Sequence, residues 1–237
     1  MNFFKRIKEA IGRRVYKVVF SRLRARHIIL SRSLVSLRRK KEIQTMFPSL
    51  YSDYIRLATL ELCAHEIRRK SIAGSAAEVG VYNGDFARHL NLAFSDRKLY
   101  LFDTFKGFVE EEIEADIKEG LARPKEFQSD VRKVMDRMPL KENVVPVVGN
   151  FSRRSLDAVP ADERFAFVSL DVDVYAPTIE GLRTLYPRLS KGGYIFVHDY
   201  NNDQWGGIRK AVDEFIGESG ACAVPVPDAQ GSIIITK

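Results

Sequence analysis

From residue 76 to the C-terminus, short apolar runs alternate with amphipathic helical runs, and this alternation limits the possible folds more than any other feature. AAEVGV (76–81), KLYLFDTF (98–105), NVVPVVGNF (143–151), FAFVSLDVD (165–173) and GYIFVHDY (193–200) read as strands. GDFARHLNLAF (84–94), a charged stretch over 109–138, TIEGLRTLYPRLS (178–190) and GIRKAVDEFIG (207–217) read as helices, with a short turn or helix near SLDAVP (155–160). Strands separated by helices of this length predict a mostly parallel, doubly wound α/β sheet of the Rossmann-like kind. The last segment, ACAVPVPDAQGSIIITK, has two extended runs split by DAQG and predicts a closing antiparallel hairpin. Upstream, residues 53–70 predict a helix with Ile55, Leu62 and Cys63 facing inward.

Charge divides the chain in two. Of its 38 basic and 31 acidic residues, residues 1–41 hold 14 basic side chains and a single acid, Glu9. The remainder is mildly acidic, which argues against nucleic-acid binding by the body of the fold. In this arm Phe4, Ile7, Ile11, Val15 and Val18 recur at helical spacing between basic residues, and Phe20, Leu23, His27, Leu30, Leu34 and Leu37 continue a 3-4 pattern. The predicted organisation is a basic amphipathic helical arm over 1–45 and a catalytic domain over 46–237. Several readings of the arm stand open: contact with an anionic membrane surface, a solvated helix, a self-associating helix that pairs two copies, or a helix that lies on the domain and covers the active site. No apolar run approaches a bilayer span, and nothing resembles a signal peptide. Cys63 and Cys222, far apart and in no metal-like spacing, predict reduced thiols and a cytoplasmic protein, peripheral at the inner membrane face if the arm binds lipid.

Candidate site residues cluster at predicted strand ends. AEVGVYNGDF carries Gly80 and Gly84, for a tight turn and a helix start next to a ligand, with Glu78 two residues before the first glycine. It is neither the G-x-G-x-x-G dinucleotide motif nor a P-loop. Asp103 ends its strand 19 residues past Gly84, where an acid accepts hydrogen bonds from ribose hydroxyls; its structural alternative is a helix cap. Asn150 and Phe151 close the third strand and offer an adenine pocket or a loop anchor. LDVDVY places Asp171 and Asp173 two apart, on one face if the strand runs on. HDYNN returns Asp199 to the same edge, and hard carboxylates gathered there suit Mg²⁺.

These residues carry a resemblance. AEVGVYNGDFA, KLYLFDTFKGF, LDVDVYAPTIEGLRTLYPRLSKGGYIFVHDY and GIRKAVDEF, in order over residues 52–237, resemble the macrocin O-methyltransferase family. The resemblance implies a class I methyltransferase fold, S-adenosylmethionine as cofactor, Mg²⁺, and methylation of sugar hydroxyls on natural products. It places Glu78, Gly80, Tyr82, Asn83 and Gly84 in the first cofactor motif, Asp103 and Thr104 at the ribose, and Asn150 and Phe151 near the adenine. It makes Asp171 a metal ligand and general base that also touches the cofactor, and Asp199 a second metal ligand. One departure stands out: His198 precedes Asp199 where better-known members carry two adjacent acids. Imidazole suits transition metals better than Mg²⁺ and makes His198 a candidate proton acceptor.

The expected activity is O-methyl transfer to a hydroxyl of a sugar or glycosylated acceptor, whether polysaccharide, lipid-linked glycan or natural product, by a homo-oligomer. Methylation of a catechol-like diol and non-catalytic binding of S-adenosylmethionine are the alternatives. Orientation supplies much of the rate of such a transfer, and a base or a cation beside the hydroxyl supplies the rest.

Overall fold

The computed structural model describes residues 53–122 and 127–237, and residues 53–237 cluster as one compact unit. The arm, with its predicted helices, lies outside the described residues.

Helix α1 (Tyr54–Arg69) leads into five parallel strands: β1 (Ser75–Val79), β2 (Leu99–Asp103), β3 (Val144–Val148), β4 (Phe165–Leu170) and β5 (Leu189–Val197). Helix α2 (Asp85–Ala93) joins β1 to β2, α3 (Glu110–Lys118) and α4 (Val131–Asp136) lie between β2 and β3, and α5 (Tyr175–Leu185) joins β4 to β5. Helix α6 (Gly206–Ser219) precedes a hairpin of β6 (Cys222–Pro225) and β7 (Ile233–Thr236). The sheet order is β3-β2-β1-β4-β5-β7-β6, with β7 antiparallel to both neighbours. The hairpin expected from the sequence is present, and its second strand pairs with β5 because IIIT is apolar enough for an inner position while CAVP is left at the rim.

Burial explains the strand sequences. Every residue of β1 and β4 is buried, as central parallel strands covered by helices on both faces require. β3 alternates toward solvent and carries Pro146, which an edge strand tolerates because one ladder donor is dispensable there. A core of Tyr100, Phe102, Phe165, Val168, Leu182 and Ile195 fills one face of the sheet.

Two expectations need correction. The charged stretch over 109–138 is two helices, because Gly120 sits at φ +72° and ends α3. Ile55 faces solvent, 41% exposed, while Leu57, Leu60, Ala64 and Ile67 form the buried stripe of α1. Cys63 is buried in that stripe as expected, and Leu62 is half-buried. Cys63 and Cys222 are free, the first buried and the second exposed.

Strand order reverses between β1 and β4: β2 and β3 extend to one side, β5 and the hairpin to the other. Ligands in such sheets bind at this switch point, beyond the carboxyl ends of the strands.

Candidate active site

A cleft of about 390 Å³ opens at that edge. Its walls include Glu78, Gly80, Tyr82, Asn83, Asp103, Thr104, Asn150, Phe151, Asp171, His198 and Asp199. The site residues expected from the sequence thus converge, with one exception. Gly84 is not on the wall: at φ +74° it caps α2, and a Cβ there would meet Val134 and Met138 of the α4 region. Its glycine serves helix packing rather than ligand approach.

Gly80 is needed for a specific reason. At φ +82°, an added Cβ would lie 1.8 Å from the Asp171 carbonyl oxygen, so the loop after β1 passes directly against the end of β4. Asp103 fixes the same loop. Its Oδ2 accepts from the amides of Val81 (2.5 Å) and Tyr82 (2.8 Å), and its Oδ1 accepts from Phe105 (2.6 Å). Asp103 is therefore a loop organiser at the cleft wall, a role the sequence did not suggest. Thr104 is tied locally, donating to the Gly107 carbonyl at 2.6 Å. Phe151 is buried edge-on against Phe102, the loop-anchor alternative, and Asn150 donates to Glu112 at 3.2 Å.

Tyr82, Phe105, Asp173 and Asp199 all have positive φ, each in the loop after a different strand. For non-glycine residues such conformations cost about 1–3 kcal/mol each and collect where function requires them. The bend at Asp173 also corrects the shared-face expectation: β4 ends at Leu170, so Asp171 and Asp173 do not alternate along one extended strand, although both line the cleft. The N-cap of α5 is Val174, whose side chain makes no capping bond. Buried Asp116, on α3, accepts from the Tyr175 amide at 2.8 Å instead.

At the centre is a quartet of charges. Arg56 Nη2 lies 2.9 Å from Asp171 Oδ2, and His198 Nδ1 lies 3.1 Å from Asp171 Oδ1 and 2.6 Å from Asp199 Oδ2. Asn202 Nδ2 donates to Asp199 Oδ1 at 2.5 Å. Burial would lower the His198 pKa and Arg56 works in the same direction, but Asp171 and Asp199 outweigh both and push it up to about 10. Burial would raise Asp171, yet His198 and Arg56 hold it well below the usual carboxylate range. The two carboxylates therefore favour a proton on His198, and the two cationic partners favour the ionised form of Asp171.

Glu78 lies beside the quartet, 2% exposed, and its Oε2 has no partner among the described residues. Burial pushes its carboxyl well up, against the pull of Arg56. A buried acid with an unsatisfied oxygen at a cleft wall suits a ligand that brings a positive group.

Asp171, His198 and Asp199 offer one ligand atom each within 4.8 Å of one another, a spacing that admits a cation. Their bonding does not fit Mg²⁺. One Asp171 oxygen meets Arg56 and the other His198, while the Asp199 oxygens are taken up by His198 and Asn202. Mg²⁺ asks for a near-octahedral set of oxygen ligands, so it would have to displace the guanidinium and the imidazole from the Asp171 carboxylate.

Reading the sequence missed Arg56, Phe108, Phe127, Asn202, Gln204, Trp205 and Gln230, which also line the cleft. Arg56 left a trace: it falls on the apolar stripe of α1, four residues before Leu60.

Sequence comparison now bears on this geometry. Residues 12–225 match the Macrocin-O-methyltransferase (TylF) family. The chain belongs to that family. It is accordingly an S-adenosylmethionine-dependent O-methyltransferase. The 8-demethyl-8-(2,3-dimethoxy-alpha-L-rhamnosyl)-tetracenomycin-C 4'-O-methyltransferase of Streptomyces olivaceus is 29% identical over 192 residues, 75% of this chain and 70% of that protein. Mycinamicin III 3''-O-methyltransferase of Micromonospora griseorubida is 30% identical over 185 residues, 70% of this chain and 69% of the relative. Among solved structures, the O-methyltransferase NovP superposes with a TM-score of 0.64 at 25% identity, over 77% of this chain and 80% of its own. The fold is that of class I methyltransferases.

Proposed function

We propose that this enzyme transfers the methyl group of S-adenosylmethionine to a hydroxyl of a sugar or glycosylated acceptor, without help from Mg²⁺. The observation that carries the reading is the convergence, in one switch-point cleft, of the Gly80 turn, the unsatisfied buried Glu78 and the charge quartet. Relatives that methylate rhamnosylated tetracenomycin and mycinamicin support the acceptor class.

The parts divide the work between the two ligands. The loop held by Asp103 and the close passage at Gly80 shape the cofactor side, and Glu78 supplies an acceptor for a cationic group of the cofactor. The other side of the cleft offers Asn202, Gln204 and Gln230 next to Trp205. Amides and an aromatic face together suit a ring that carries hydroxyls on a partly apolar surface. Methyl transfer needs the hydroxyl oxygen in line with the sulfonium methyl, and holding both reactants supplies much of the rate. Arg56 and His198 stabilise negative charge developing on that oxygen. As the new carbon–oxygen bond forms and the methyl carbon–sulfur bond breaks, the hydroxyl proton passes to a carboxylate of the wall.

The decisive assay follows S-adenosylhomocysteine release with a panel of rhamnosylated and other deoxysugar-bearing acceptors beside catechol-type diols. Turnover confined to the diols would replace the sugar reading, and cofactor binding without turnover of any acceptor would favour the binding-module alternative. We also keep the reading of residues 1–41 as an anchor to an anionic membrane surface that presents a lipid-linked glycan to a cytoplasmic enzyme. Its support is the charge pattern alone. Among the described residues, no helix is long and apolar enough to cross a membrane. Flotation with anionic and neutral liposomes tests the anchor. Sizing of a chain lacking the arm tests the alternative, in which the arm pairs two copies of a homo-oligomer.

A further inference from the structure

Arg56 reaches the cleft from outside the sheet, and its place is fixed at both backbone and side chain. Asp53 Oδ1 caps α1 by accepting from the Arg56 amide at 3.0 Å, and Asp53 Oδ2 accepts from the Ala229 amide of the β6–β7 loop at 2.7 Å. The first turn of α1 is thereby tied to the hairpin beside β5. The guanidinium lies 3.9 Å from the Phe86 ring centroid and 6.0 Å from that of Phe196, a setting in which a planar cation is favoured over a hydrated ammonium. One edge meets Asp171 Oδ2, while Nε is buried with no partner among the described residues. Only 12% of the side chain is exposed. The guanidinium thus sets a positive charge within the cluster.

The position of that charge matters more than its presence. In the Asp171–His198–Asp199 group, a divalent ion would need the Asp171 carboxylate. The carboxylate oxygen that Arg56 holds is unavailable without breaking a partly buried ion pair. A dication would then sit beside a fixed positive charge in a site of low polarity, where like charges repel strongly. The guanidinium of Arg56 already offsets the charge of Asp171, which weakens the pull of that carboxylate on Mg²⁺.

We propose that Arg56 is an internal cation standing in for a divalent metal on Asp171, so that the Asp171–His198–Asp199 cluster is closed to metal while Arg56 is present and opens when Arg56 is removed. The proposal rests on the methyl-transfer reading for its purpose, but not for its test. In the reaction, Arg56 places next to the acceptor oxygen the positive charge that a bound metal would otherwise supply.

The experiment titrates Mg²⁺ by calorimetry and Mn²⁺ by its free-ion electron paramagnetic resonance signal into wild type, Arg56→Gln and Arg56→Lys, with no cofactor or acceptor present. Wild type and Arg56→Lys are expected to bind neither ion at millimolar concentration. Arg56→Gln, in which Asp171 loses its fixed cation, is expected to bind Mn²⁺ at least about tenfold more tightly than wild type. Circular dichroism of each variant accompanies the titration, and Arg56→Lys together with wild type keeps the test decisive should Arg56→Gln not fold. Stoichiometric binding of Mg²⁺ to wild type, or an Arg56→Gln variant that is folded and still binds no ion, would overturn the proposal. Binding of S-adenosylmethionine to wild type in EDTA is measured separately and reports on the methyl-transfer reading alone.

Discussion

Replacing Asp171 with Asn removes a charge while keeping the shape, and it isolates what holds the quartet together. Asp171 faces Arg56 at 2.9 Å and His198 at 3.1 Å, with the three side chains between 12% and 21% exposed. At about 3 Å and an effective dielectric of about 20, each attraction is about 5 kcal/mol before desolvation is subtracted. Measured losses on breaking one side of a buried pair are about 3–5 kcal/mol, because the remaining charge is left uncompensated. Partial exposure places Asp171→Asn at the low end, about 3 kcal/mol. For a body of this size, 1 kcal/mol moves the melting temperature by about 2–4 °C, so a fall of about 6–12 °C is expected by scanning calorimetry at pH 7. The double variant Arg56→Gln/Asp171→Asn should recover part of that loss, since it removes an orphaned cation together with its partner. An unchanged melting temperature for Asp171→Asn, or strictly additive losses in the cycle, would refute the ion-paired quartet. Turnover is expected to fall by about a hundredfold or more in the same variant.

Gly80→Ala should cost at least about 2 kcal/mol in chemical denaturation, because its methyl would meet the Asp171 backbone at 1.8 Å and take a φ that alanine avoids; equal midpoints would show that the loop yields freely. Asp103→Ala leaves three amides without their acceptor and should weaken S-adenosylmethionine binding by about 1–3 kcal/mol, with faster hydrogen exchange at Val81 and Tyr82. Unchanged affinity and exchange would remove Asp103 from the site. The raised His198 pKa predicts that its stabilisation is complete below about pH 6.5 and is lost as pH climbs toward about 10, whereas the lowered Asp171 pKa predicts loss only on strong acidification. Urea titrations at pH 6, 8 and 10 should show this alkaline decline in wild type and not in His198→Gln.

The order and type of the central elements were legible because each strand is an apolar run ended by glycine or acid, and each helix keeps its 3.6 period. Strand order was not, since the placement of β7 between β5 and β6 is set by long-range pairing that no local pattern records. Strand-end acids were legible for the same topological reason that makes them functional: Glu78, Asp103, Asp171 and Asp199 stand where a doubly wound sheet gathers its loops. Their individual bonding was not. Asp103 turned out to bind backbone amides, and Asp171 to be neutralised by Arg56 from 115 residues away. Asp173 left the strand because the chain turns left-handed there, which periodicity alone does not reveal. Ile55 and Arg56 were misread together, since in the first turn of α1 the apolar residue faces solvent and the charged one faces the cleft.

The central claim is that this cleft transfers a methyl group from S-adenosylmethionine without a divalent metal, with Arg56 on Asp171 in its place. The most direct measurement is the rate of S-adenosylhomocysteine release with a turned-over sugar acceptor, taken in EDTA and again with excess Mg²⁺. The account predicts the same rate in both, within about twofold, and its loss in Asp171→Asn. A rate abolished by EDTA and restored by Mg²⁺ would contradict it.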